Sequence, residues 1–147
     1  MKKNMHLICN AHIDPVWLWE IGEGVAETLS TFRVAADFCE DYDGFIFCHN
    51  EAMLYEWVEE NDPELFARIQ KLVAEGKWHI MGGWYLQPDC NLPSGESFVR
   101  QILHGKYYFM DKFGADPKTV INFDAFGHTR GLVAIMRKAG FDSCIFC

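Results

Sequence analysis

The chain has 147 residues, half of them hydrophobic, which is long enough for one domain with a substantial core. Its formal net charge is −8, and so acidic a balance argues against nucleic acid or an anionic membrane as partner, since both select basic patches. The run after Met1-Lys2-Lys3-Asn4 is too short for a signal-peptide core or a spanning helix. Six cysteines lie scattered in apolar contexts, which reads as reduced, cytoplasmic usage rather than a disulfide framework.

Apolar runs alternate with helical patterns along the chain. MHLIC (5–9) predicts a first strand, and GVAETLSTFRVAADFCED (24–41) a helix with Val25, Leu29, Phe32, Ala36 and Cys39 on one side. FIFCH (45–49) predicts a second strand, and helical material over 51–75 is interrupted at Asn61-Asp62-Pro63. KWHIMGG (77–83) predicts a third strand, followed by a long Pro/Gly-punctuated loop over 84–97 and a helix over 97–114 capped near Ser94 or Ser97. KTVINFD (118–124), GLVAIMRKAG (131–140) and SCIFC (143–147) predict strand, helix and strand. The alternation implies β-α-β crossovers, parallel strands and an α/β fold. The chain stops inside an apolar strand, from which a truncated domain is expected.

In parallel α/β folds chemistry gathers at the C-terminal ends of strands. The first strand runs into Asn10-Ala11-His12-Ile13-Asp14, where an extended backbone puts His12 and Asp14 on one side. The fourth runs into Asp124, which parallel polarity brings to the same end. An imidazole and two carboxylates suit zinc first and manganese or cobalt next. Trp17 and Trp19 follow the first pair, either as packing or, for one of them, as a platform on which a sugar ring stacks. His49, Asp89, Asn91 and His128 are weaker candidates, Asp89 and Asn91 being equally good turn formers. Cys144 and Cys147 form a C-x-x-C, but on a strand they point to opposite faces and are badly placed for metal or redox work.

HIDPVWLW, LYEWVEENDPELFARIQKLVAEGKWHIMGG, PDCNLPSGESFVRQILHGKYYF and NFDAFGH stand in an order and spacing that resembles the α-mannosidases of glycoside hydrolase family 38. The resemblance covers nearly the whole chain. It implies about five strands of a seven-stranded β/α barrel, of the glycoside hydrolase and deacetylase type, with residues 1–147 forming the N-terminal part of the catalytic domain. It implies that His12, Asp14 and Asp124 are zinc ligands, that Asp124 is also the nucleophile, and that Trp17 and Phe126 contact the mannosyl ring. The activity implied is retaining hydrolysis of α-linked mannose from a mannose-containing glycan or oligosaccharide, with a homo-oligomer possible. The family's fourth metal ligand and its general acid/base lie downstream of these positions, so an isolated 147-residue chain is expected to be inactive. Two other readings are a metal-dependent polysaccharide deacetylase, disfavoured because no H-x-x-x-H pair occurs, and a non-catalytic sugar- or metal-binding module.

Overall fold

The computed structural model describes residues 3–147; Met1 and Lys2, part of the N-terminal run read above, lie outside the described residues. Ten elements follow one another: β1 (Cys9–Asn10), α1 (Ile21–Asp41), β2 (Phe47–Glu51), α2 (Ala52–Asn61), α3 (Pro63–Ala74), β3 (Trp78–Trp84), α4 (Gly95–Phe113), β4 (Thr119–Asn122), α5 (Arg130–Lys138) and β5 (Ser143–Phe146). Among these described residues no helix is long and apolar enough to cross a membrane.

Local chemistry accounts for the boundaries. The Glu23 carboxylate accepts the Glu20 N–H at 3.0 Å, so α1 starts at Ile21, earlier than the residue 24 expected from apolar spacing. Asp62 accepts the Leu65 N–H at 3.0 Å and precedes Pro63 at the first helical position, which separates α3 from α2. Ser94 accepts the Ser97 N–H at 3.2 Å and caps α4, which closes on Gly114 in a left-handed conformation. The first strand is shorter than expected. Its ladder pairs Cys9 with Phe47 and Asn10 with Cys48, and β2 begins at Phe47, so residues 5–8 have no β2 partner to pair with.

All strand pairs are parallel, as the alternation predicted, but they do not make part of a barrel. The structure corrects that expectation: β1-β2-β3 form one small sheet and β4-β5 another. Trp84 at the end of β3 sends its indole N–H to the Ile121 carbonyl of β4 at 2.9 Å, so side chains bridge the place where a β3–β4 ladder would continue the sheet. The register of β2 on β3 also slips, from His49–Ile80 to Glu51–Trp84. Gly82 permits this, since its φ is +79° and a Cβ there would meet the Asn50 carbonyl oxygen at 2.8 Å.

Two cores follow from the two sheets. The larger centres on Phe32, Tyr55 and Trp78, with ring centroids 5.0–5.3 Å from Phe32 and a hydrogen bond of 2.8 Å from the Trp78 indole to the Tyr55 hydroxyl. The smaller holds Trp84, Phe98, Ile102, Val120, Leu132 and Phe141. Helix α4 joins them, placing Phe98 and Ile102 in the second core and Phe109 in the first.

Candidate metal and sugar site

The segment after β1 keeps strand-like alternation: Ile13 is buried in the larger core while His12 is exposed and Asp14 half-buried. His12 Nε2 lies 3.3 Å from Asp14 Oδ1. The segment is held against the start of α1, where Gly24 packs so closely on the Pro15 carbonyl that a Cβ would overlap it.

Asp124 follows β4 and has φ +54°, the one non-glycine residue with positive φ among the described residues. Aspartate tolerates the left-handed region better than most residues, yet such backbones cost free energy and concentrate at functional sites. One ligand atom from each of His12, Asp14 and Asp124 lies within 4.8 Å of the others. Zinc ligands at 2.0–2.2 Å impose ligand separations of roughly 3–4 Å. The His12–Asp14 pair already meets that spacing, and the donor set of one imidazole and two carboxylates fits a divalent cation. The three residues singled out from sequence are therefore brought together from two different sheets.

The aromatic candidates sit on the same two segments. Trp17 is 68% and Phe126 87% exposed, so neither is a core residue. Trp19 packs edge-on against Trp17, with centroids 5.9 Å apart. Of the weaker candidates, Asp89 is a turn former: its Oδ1 accepts the Asn91 and Leu92 N–H groups at 2.7 and 2.8 Å, which hold its carboxyl below the usual range. Asn91 packs its amide near Gly127. His128 is exposed, its ring 4.9 Å from that of Phe146. His49 is fully buried between Phe32, Phe47 and Tyr55, and burial pushes its pKa down to about 3, so it is a neutral core imidazole. Cys144 and Cys147 are exposed free thiols, and the Asp124 N–H approaches Cys147 Sγ at 3.5 Å.

Sequence reasoning missed a layer of buried and half-buried polar groups near these residues. Asn10 Nδ2 donates to the Cys48 carbonyl at 2.8 Å, and Asn122 Nδ2 donates to Cys90 Sγ at 2.6 Å. Glu51 ends β2 with 2% exposure and accepts the Gln87 N–H at 3.0 Å. Burial raises its pKa to about 7, an effect that the Gln87 N–H offsets and the Asp14 charge reinforces. The signal available was the polar run His49-Asn50-Glu51 closing an otherwise apolar strand.

An α/β domain with an aspartate–histidine cluster beyond its parallel strands is the class that fold and site define. The model of the glycosyl hydrolases family 38 N-terminal domain matches residues 2–147, and the chain belongs to that family. It is 35% identical over 136 residues to alpha-mannosidase G of Dictyostelium discoideum, covering 92% of this chain and 12% of that protein. Identity is also 35% over 136 residues to alpha-mannosidase 2C1 of Homo sapiens, with 92% and 13% covered. The crystal structure of an alpha-mannosidase from Enterococcus faecalis V583 superposes with a TM-score of 0.86 at 25% identity, over 95% of this chain and 16% of that one. The chain thus spans about an eighth of the length of the curated relatives it matches.

Proposed function

We propose that the chain supplies part of the centre of a longer, cytoplasmic α-mannosidase that removes α-linked mannose from a glycan or oligosaccharide with retention of configuration. The observation that carries this reading is the convergence of His12, Asp14 and Asp124 in a chain of this family. These residues would hold one divalent cation, zinc foremost, which supplies Lewis-acid binding of sugar hydroxyls and favours the ionised form of Asp124. Asp124 attacks the anomeric carbon, the glycosidic bond breaks, and a glycosyl-enzyme ester forms. A second carboxyl group protonates the leaving oxygen and later activates water. Glu51 is too deeply buried to touch a sugar, and the family resemblance places that group in a downstream part of the longer enzyme. Trp17 and Phe126 expose apolar faces against which the ring can stack.

The test replaces Asp124 with Asn in the complete gene product. Turnover of an aryl α-mannoside is expected to fall by about 10³-fold or more, the range seen when a nucleophile is removed, with zinc retained. His12→Ala is expected to lose zinc and turnover together. Unchanged turnover in the Asp124→Asn enzyme would exclude the nucleophile role.

A further inference from the structure

The two halves of the His12/Asp14/Asp124 cluster follow strands of different sheets, so something other than a shared ladder must set the distance between them. Side chains bridge the seam, the Asn122–Cys90 bond described above among them. Trp84 reaches the Ile121 carbonyl. Gln87 does more: its Oε1 accepts the Phe123 N–H at 2.8 Å and its Nε2 donates to the Phe123 carbonyl. We propose that Gln87 is a positioning residue for Asp124, acting through the Phe123 backbone across this seam. The proposal rests on the reading of Asp124 given above.

A primary amide carries a donor and an acceptor in one rigid plane, so it can take both main-chain groups of one residue, as a neighbouring strand would. The Phe123 carbonyl lies in the same peptide plane as the Asp124 N–H. Holding that carbonyl fixes the plane about which Asp124 turns. Relaxing Asp124 from φ +54° to the ordinary region by rotating that plane would break the bond to Gln87. The clamp can therefore sustain a backbone that residue 124 alone would leave.

Gln87 is itself tied through its own N–H and the two residues before it. Its N–H donates to the buried Glu51 carboxyl at 3.0 Å. The Leu86 N–H donates to Gln101 Oε1 at 2.8 Å and the Tyr85 N–H to the Gln101 carbonyl at 2.9 Å. The leg of loop that carries Gln87 is thus fixed to β2, which neighbours the strand leading to His12 and Asp14, and to α4, which spans both cores. The path from β1, which leads to Asp14, to the Phe123 backbone beside Asp124 runs through held groups.

The experiment compares Gln87→Met, which removes both bonds at similar volume, and Gln87→Glu, which keeps an acceptor and loses the donor. Phe32→Leu serves as a control destabilised in the core away from the seam. Zinc affinity, amide hydrogen exchange at Phe123 and Asp124, kcat and KM are all measured on the complete gene product. For Gln87→Met, zinc affinity is expected to fall about tenfold and kcat about 10–100-fold, with KM within about threefold, as for groups that orient the residues bound to a metal. Exchange at Asp124 accelerates in the zinc-free chain, and Gln87→Glu shows the same losses. Phe32→Leu lowers stability without the kcat-against-KM split. Zinc affinity, exchange and kcat all within twofold of wild type in folded Gln87→Met, or in Gln87→Glu should the first not fold, overturn the proposal. Asp124→Asn keeps the two ideas apart: full turnover there defeats the nucleophile reading, while exchange and zinc affinity still decide whether Gln87 holds residue 124.

Discussion

Glu51 shows how much of the site's behaviour rests on one buried side chain. Its pKa in the folded chain, about 7, lies above its ordinary value of 4.5, so the folded state keeps a proton that the unfolded state has released. The sign follows: the contribution is fully present below about pH 4.5, is lost as pH rises through 7, and stays lost above. In the zinc-free chain Glu51→Gln should flatten this fall by about 2–3 kcal/mol at most between pH 5 and pH 8, read from urea unfolding at both pH values. An unchanged slope would show that Glu51 is ionised throughout. At this scale the sequence was uneven to read. His12 and Asp14 announce themselves by alternation and Asp124 by strand polarity. Gln87 does not, because a glutamine in a Pro/Gly-punctuated loop has no periodicity to betray its partners. His49 misleads for the opposite reason, being a ligand-type residue at a strand end that turns into the aromatic core.

Element by element, helix and strand identity followed from apolar spacing, and the misreadings lie at ends. The apolar spacing begins the α1 helix at residue 24, whereas the Glu20–Glu23 cap carries it back to Ile21. The two glycines of that first turn make a matched test. Nothing lies within 4 Å of a Cβ built on Gly22, so Gly22→Ala should stabilise by about 0.5–1 kcal/mol through lost unfolded-state freedom. Gly24→Ala drives a methyl into the Pro15 carbonyl, and the sign reverses to a loss of about 1–3 kcal/mol. Because Pro15 adjoins Asp14, zinc affinity should weaken with Gly24→Ala and not with Gly22→Ala. Urea unfolding and zinc titration of both variants check this.

For the whole molecule, parallel pairing was legible but sheet continuity was not. Strand count and polarity come from the chain order, whereas the break between β3 and β4 depends on which groups the Trp84 and Gln87 side chains bond, and that is a three-dimensional fact. The seam should matter to stability out of proportion to its size. Trp84→Phe keeps an aromatic ring at the site but strands the buried Ile121 carbonyl, and urea unfolding should register a loss of about 1–3 kcal/mol. A loss below 0.5 kcal/mol would mean, on the same scale, that apolar packing alone joins the halves.

The left-handed backbone at Asp124 bears on how such a centre can decay over generations. Glycine, asparagine and aspartate are the residues that accept that conformation at least cost. In the genetic code both asparagine and glycine are one nucleotide away from aspartate. A lineage can therefore shed the carboxylate in a single mutational step with little added backbone strain at that position, leaving an intact domain that keeps His12 and Asp14 and, on the reading proposed for Asp124, has lost its nucleophile.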